Sequence, residues 1–331
     1  MREAVVIGER KFAIKRAPKP VLDKDEVLIK VRCCGICGSD LHTYILGIPG
    51  RYGHEYAGDI VAVGSEVKGW KAGDRVTAES ACSCNECYWC MQGEMGLCET
   101  FLERWGASAG GFATYTKTKY QQLHKLPPGL SYEEASITEP TAVALHAVRL
   151  SGMLTGDVVA VLGLGPIGQL VARLTRISGA RAVYASETSK SRIKLAKGVV
   201  DEIIDAKKVD PAARILELTD GRGPDLVFEC AGAVAPTMQA MTMTRKGGTI
   251  VIVGVCMNLA EIIVGSIALR ELTIKGSMLF NPGEYGLALS LIGGKKIDVA
   301  PLITDILPLD RINEAFEKAT SGEGAKILVK P

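Results

Sequence analysis

The rhythm of apolar positions changes once along this chain, near residue 150. Before that point apolar and charged residues alternate in short runs, as in residues 26–31 and again from 60 to 67 (IVAVGSEV), with a glycine turn at Gly73-Asp74-Arg75-Val76. Pro18 and Pro20 exclude a helix upstream of the first run. Short strands of this kind predict a small irregular barrel. From Asp157 onward strands and helices alternate instead. Residues 158–162 (VVAVL) read as a buried strand, the glycine-rich turn 163–168 (GLGPIG) follows directly, and residues 167–177 carry apolar side chains at helical spacing. Further strands are predicted at 181–186, 202–204, 225–229, 249–253 and 272–276, with helical stretches between most of them. Six strands in that order predict an α/β fold with a doubly wound parallel sheet. After residue 283 come a helix at 284–291, a proline-flanked passage, a helix at 309–319 and a strand at 326–329. These elements are too few for a separate domain and are expected to return to the first one. The expected division is therefore 1–148 with 283–331, and 149–282.

Composition narrows the class of function. The 331 residues are 47% apolar and 23% charged, as in an ordinary globular protein that buries a large core. A formal net charge of +2 without basic blocks gives no electrostatic reason to bind nucleic acid or an anionic membrane surface, and small-molecule partners fit better. The N-terminal residues lack a signal-peptide pattern, and there is no apolar run of roughly 18 residues that could span a membrane. The expected compartment is the cytosol. Ten cysteines in a reducing compartment point to metal binding or burial rather than to disulfides. Cys33, Cys34, Cys230 and Cys256 read as small buried hydrophobes, and Cys82 as a bystander to the cluster that follows it.

That cluster is Cys84, Cys87, Cys90 and Cys98, spaced C-x2-C-x2-C-x7-C. Four thiolates in one loop can close a tetrahedral shell around zinc, and a shell filled by protein sulfur is structural because no position remains for substrate. The turn Gly163, Gly165, Pro166, Ile167, Gly168 sits between a predicted strand and helix, where its glycines would let backbone approach a pyrophosphate. Glu187, at the end of the next strand, would accept from the adenosine ribose hydroxyls and repel a 2′-phosphate, which favours NAD over NADP. Lys190 and Arg192 lie near enough in sequence to bind such a phosphate if Glu187 turns away, or belong to a solvated helix face. Ligands of parallel sheets cross the carboxyl ends of the strands, so Cys230 to Gly232 and Val253 to Gly254 should line the nicotinamide half.

A thiol and an imidazole remain: Cys37 in 37–42 (CGSDLH), and His54 in 53–55 (GHE) with Glu55 beside it, a candidate zinc site. The ordered set CGICGSDLH (34–42), GHEYAG (53–58), GDRV (73–76), the four-cysteine loop, GGFATY (110–115), TEPTAVALHA (138–147) and GLGPIG (163–168) resembles the zinc-dependent medium-chain alcohol dehydrogenase family, over nearly the whole chain. The resemblance implies a Rossmann sheet plus a GroES-like barrel, one catalytic and one structural zinc, and a homo-oligomer, dimer or tetramer. It implies Cys37 and His54 as catalytic zinc ligands, with Glu55 as a ligand or as a carboxylate that exchanges with the zinc water. Glu139 stands where ethanol-type members carry a further cysteine, which is similar to the polyol, butanediol and threonine dehydrogenase branch; it could instead be a helix-capping acid. Ser39 and His42 match the family's proton relay, and Ile167 the residue that presses on the nicotinamide ring, or else packs in its helix. Asp40 is expected to fix its loop, and Tyr44 either to face substrate or to pack. The implied reaction is reversible oxidation of a secondary alcohol, vicinal diol or polyol to the ketone. A threonine-type amino alcohol dehydrogenase and a non-catalytic protein that keeps the fold are the alternatives. Only 16 residues separate Cys37 from His54, a short segment beside the usual family loop, so part of the substrate wall is expected to be missing or rebuilt.

Overall fold

Strands β1 (Arg2–Gly8) and β2 (Lys11–Arg16) form an antiparallel hairpin, and β3 (Glu26–Gly35), β4 (Glu55–Val63), β5 (Arg75–Ala78), β6 (Tyr115–Lys119) and β7 (Leu123–Lys125) follow in a second sheet. The computed structural model describes residues 1–79, 83–101 and 110–331. Cys82 lies outside the described residues. Strands β8 (Val158–Leu162), β9 (Ala182–Glu187), β10 (Glu202–Asp205), β11 (Leu226–Glu229), β12 (Thr249–Ile252) and β13 (Thr273–Gly276) make a six-stranded, wholly parallel sheet in the order β10-β9-β8-β11-β12-β13. Strands β14 (Ile303–Pro308) and β15 (Lys326–Lys330) join the earlier sheet, whose order is β14-β15-β3-β4-β5-β7 with β6 also on β3. The chain thus divides into two units, Met1–Ala142 with Phe280–Pro331, and Val143–Leu279, and the first boundary falls inside the helix Thr138–Ser151.

In the second unit every residue of β8 is buried, as expected of a parallel strand covered on both faces. The helix Pro166–Ile177 buries Gly168 to Thr175 and carries proline at its first turn, where the missing N–H costs nothing. The strand order reverses between β8 and β11, so the turns after β8, β9, β11 and β12 gather at the end of the sheet where such folds bind ligands.

In the first unit β3 is paired on both edges, with β4 along its length and with β6 at Glu26 to Lys30 and β15 at Cys34 and Gly35. Pairing with β15 brings the C-terminal residues into the first unit's sheet. Its core is an aromatic cluster in which Phe316 meets Phe12 at 4.6 Å, Tyr44 at 4.9 Å and Phe112 at 5.5 Å between ring centroids. Tyr44 packs: it is fully buried, and its hydroxyl donates to Glu317 Oε1 at 2.8 Å.

Three elements depart from the sequence expectation. Residues 38–45 form a helix, Gly38–Ile45, rather than a loop. Strand β4 begins at Glu55 and ends at Val63, because the backbone turns at Ser65 and Glu66. The proline-flanked passage holds a 3-10 turn, Ala300–Leu302, and β14, and the following helix proper is Ile312–Ser321 after a 3-10 turn at Leu309–Arg311. Among the described residues no helix is long and apolar enough to cross a membrane.

Phe316→Ala empties the centre of the first unit's aromatic cluster and should lower unfolding stability by about 3–5 kcal/mol. Denaturant titration followed by tryptophan fluorescence measures it; a loss under about 1 kcal/mol would show that the cluster is not a single packed core.

Candidate metal and cofactor sites

Cys37 is the residue before the first turn of helix Gly38–Ile45. Its backbone N–H donates to Asp40 Oδ2 at 3.0 Å, so an acid in the first turn ties down the helix start. The other oxygen, Oδ1, accepts from Gly53 N at 3.3 Å and lies 3.5 Å from His54 Nδ1. Asp40 is only 1% exposed and so joins the Cys37 turn to the segment entering β4. Gly53 makes that approach possible: its φ is +91°, and a Cβ there would lie 2.9 Å from Cys34 Sγ and from the Phe112 amide. One ligand atom each from Cys37, His54 and Glu55 then falls within 4.8 Å of the others. Burial pulls the His54 pKa down, but Asp40 and Cys37 outweigh it and hold the imidazole well above its usual value. A carboxylate at Nδ1 leaves Nε2 for a metal, and a sulfur, nitrogen and oxygen donor set of this kind fits zinc.

Glu55 is held by a second buried group. Lys326, on β15, donates from Nζ to Glu55 Oε1 at 2.7 Å and Oε2 at 2.6 Å and to the carbonyl of Ile36 at 3.0 Å. Desolvation works against the Lys326 charge, but the Glu55 charge prevails and its pKa is raised. Glu139 opens helix Thr138–Ser151 and is 5% exposed. It lies outside the 4.8 Å set, yet its charge is felt by His54, Glu55, Lys326 and Asp40. Desolvation pushes its carboxyl up to about 7. A helix-capping acid normally stays solvated; this one is buried among charged side chains.

Cys84, Cys87, Cys90 and Cys98 place their sulfurs within 4.8 Å of one another. Cys84 Sγ and Cys90 Sγ are 3.8 Å apart, well beyond a disulfide bond of about 2.05 Å, and the nine described cysteines are all unpaired thiols. Cys87 N donates to Cys84 Sγ at 3.2 Å, and Cys84 N to Cys98 Sγ at 3.3 Å. Backbone N–H groups of Glu86 and Cys87 pull the Cys84 thiol down to about 6, whereas burial lifts Cys90 to about 12. Amides aimed at sulfur favour thiolates, and four of them suit a closed zinc shell.

In the second unit, Gly163 has φ +90°, and a Cβ there would press on Ala231 at 2.8 Å. A Cβ on Gly168 would collide with the Gly163 carbonyl oxygen, whereas one on Gly165 meets only Arg192 Nη1, at 3.7 Å. Gly163 and Gly168 are therefore needed by the fold, and Gly165 leaves open space above the turn at the start of helix Pro166–Ile177, as a phosphate-binding turn requires. Pro166 and Ile167 are half-buried beside it. Glu187 is 7% exposed; Oε2 accepts from Leu164 N at 2.8 Å, and Oε1 accepts from Thr188 N at 2.6 Å and Ser189 N at 2.9 Å. The carboxylate thus binds the glycine turn to the end of β9 and keeps an acceptor site on Oε2. Cys230 and Val253 end their strands side by side, Cys230 N donating to Leu162 O and Val253 N to Glu229 O, each at 2.8 Å. Burial pushes the Cys230 thiol up, which makes it a neutral lining group.

Ser39 is half-buried and His42 exposed, one helical turn apart on Gly38–Ile45, so the pair leads outward from the Cys37 turn. Lys190 and Arg192 lie on helix Lys190–Leu195. Sequence reasoning passed over Lys326 and Glu229. Glu229 is fully buried, and its Oε1 accepts from Ala231 N at 2.8 Å and Gly232 N at 2.9 Å, shaping the turn that faces Gly163. A lone acid closing an apolar strand was the available signal for it.

Comparison with known proteins agrees with this geometry. Residues 23–128 match the alcohol dehydrogenase GroES-like domain and residues 166–293 the zinc-binding dehydrogenase model, and the chain belongs to this zinc-dependent dehydrogenase family. It is an alcohol or polyol dehydrogenase that uses zinc and a nicotinamide cofactor. It is 36% identical to a sorbitol dehydrogenase of Halalkalibacterium halodurans, over 98% of this chain and 97% of that one. Among solved structures it resembles the 2R,3R-butanediol dehydrogenase of Bacillus subtilis, with a TM-score of 0.90, 35% identity and coverage of 100% and 99% of the two chains. A zinc-binding dehydrogenase of Sinorhizobium meliloti bound to NADP is similar at a TM-score of 0.92 and 31% identity, covering 100% and 99%.

The two inner glycines should separate fold from binding. Gly168→Ala should destabilise the second unit by about 1–3 kcal/mol, while Gly165→Ala should leave stability unchanged and weaken dinucleotide binding at least tenfold by calorimetry. Equal effects of the two substitutions would contradict the assignment.

Proposed function

We propose that this dehydrogenase reversibly oxidises a secondary hydroxyl of a polyol or vicinal diol to the ketone, with NAD as acceptor. The observation that carries the reading is the donor set: Cys37 and His54 stand with two buried carboxylates, Glu55 and Glu139, and among the described residues no second thiol joins the ligand group. Harder oxygen ligands make a more labile site, suited to a substrate that brings more than one hydroxyl. The sorbitol and butanediol dehydrogenases among its relatives support the same substrate class.

Cys37, His54 and Glu55 would hold the catalytic zinc, with Glu139 buried nearby, and Cys84, Cys87, Cys90 and Cys98 the structural one. When bound, zinc supplies a Lewis acid that lowers the pKa of a hydroxyl held against it, and the nicotinamide ring supplies the hydride sink. Asp40 keeps His54 in the ligating tautomer. Ser39 takes the hydroxyl proton and His42, exposed to water, delivers it to solvent. Gly163 to Gly168 would bind the pyrophosphate, Ile167 would press on the ring, and Cys230 and Val253 would line its pocket. Glu187 would accept from the adenosine ribose and disfavour a 2′-phosphate, while Arg192 lies beside the pyrophosphate turn at Gly165. Thiolate ligands require a reducing compartment, consistent with the cytosol.

A screen of NAD reduction over diols, sugar alcohols, simple secondary alcohols and threonine, repeated with NADP, tests the reading. Turnover of a diol or polyol is expected, with kcat/KM at least tenfold higher for NAD; inactivity of zinc-loaded protein on every alcohol would overturn it.

The chain is also proposed to assemble as a homodimer through the cofactor unit. Strand β13 is the outer strand of its sheet, and Ile263 and Leu269, at the helix that precedes it in sequence, are 79% and 86% exposed. Ile263→Glu with Leu269→Glu should halve the mass seen by light scattering without loss of helicity; a parent protein that is already monomeric would refute this.

A further inference from the structure

We propose that Glu229 is a positioning residue of the cofactor site: it locks the turns that follow β11 and β12 into one wall for the nicotinamide half of the dinucleotide. The proposal rests on the dehydrogenase reading above. Four backbone N–H groups converge on this residue. Its carbonyl oxygen accepts from Val253 N at 2.8 Å and Gly254 N at 2.9 Å, just after β12, and its side-chain Oε1 accepts from Ala231 N at 2.8 Å and Gly232 N at 2.9 Å, in the turn that leaves β11. The two turns interlock where they are joined. A Cβ on Gly254 would lie 2.2 Å from Gly232 N, and one on Gly232, whose φ is +63°, would lie 3.0 Å from Val255 O. Neither position has room for a side chain, so the fit of one turn against the other depends on where the Ala231 and Gly232 amides are held.

The other carboxyl oxygen points to a role other than stability. Glu229 is fully buried, and among the described residues Oε2 finds no hydrogen-bond partner, which is costly in an interior. Desolvation accordingly pushes the carboxyl up, against the pull of the Ala231, Gly232 and Ala233 amides. An apolar residue would remove that cost but leave two amides of the turn without an acceptor, so the acid is kept for the shape it imposes. Ala231 packs against Gly163, yet the adenosine side is held separately. Gly163 N donates to Ser186 O at 2.9 Å and Leu164 N to Glu187 Oε2 at 2.8 Å, both at the end of β9. Glu229 therefore governs the nicotinamide half of the site and leaves the adenosine half in place.

The test is calorimetric titration of the full chain with NAD and with ADP-ribose, which lacks the nicotinamide ring. Glu229→Leu should weaken NAD binding at least tenfold and leave ADP-ribose binding within about twofold of the parent. Glu229→Gln, which keeps an acceptor for both amides, should bind both probes as the parent does. A role in folding alone would move both probes together or neither. Equal losses of NAD and ADP-ribose in Glu229→Leu, or NAD binding unchanged there, would overturn the proposal. Should Glu229→Leu not fold, Glu229→Asp, whose shorter side chain draws the carboxylate back from the amides, decides it by the same ratio. A parent that binds neither probe would overturn the dinucleotide reading and the proposal together, whereas a parent that binds both, with NAD unaffected by the substitution, would overturn the proposal alone.

Discussion

Three carboxylates, Asp40, Glu55 and Glu139, are buried near Cys37 and His54, and among the described residues Lys326 is the one ammonium beside them. Three negative charges against one positive leave an excess that a low-dielectric interior does not tolerate without a further cation. Two features of the chain answer to that excess. His54 is held toward its protonated form, and the Glu139 carboxyl is lifted to about 7, so protons compensate part of the charge. A divalent ion does so better and releases those protons as it binds, which ties metal affinity to pH.

The fold is arranged to hold these groups against their repulsion. Asp40 spends one oxygen on the Cys37 amide and the other on the Gly53 amide, so the groups that set the Cys37 and His54 positions hang on one side chain. Lys326 arrives on the last strand, and its register against β3 is fixed by two residue pairs. The aromatic cluster around Phe316 ties the helix carrying Tyr44 to the helix that precedes β15, so that both ends of the first unit share one core. The metal-binding residues therefore depend on packing supplied by the C-terminal residues.

Much of this was legible in the chain. The run VVAVL followed by a glycine turn and a helical apolar stripe announces a βα unit from local pattern alone, and four cysteines within one loop announce their metal through spacing. The helix Gly38–Ile45 was not legible, because it opens on glycine and its start is secured by Asp40 and an unusual cysteine cap rather than by a serine or threonine. Lys326 was read only as the first residue of a strand. Its partner lies 271 residues away in sequence, and no local pattern reports a pairing of that range. Glu187 was read for its role toward a ribose; its bonds to Leu164, Thr188 and Ser189 depend on the sheet order, which brings the ends of β8 and β9 together.

If the buried, carboxylate-rich group in the first unit holds a metal distinct from the one in the four-cysteine loop, the two ions are separable by substitution. Zinc analysis of purified parent protein beside Cys37→Ser tests it most directly. About two ions per parent chain are expected, and about one in the variant, which keeps its fold through the intact loop. A parent that carries one ion per chain, undiminished by Cys37→Ser, would contradict it.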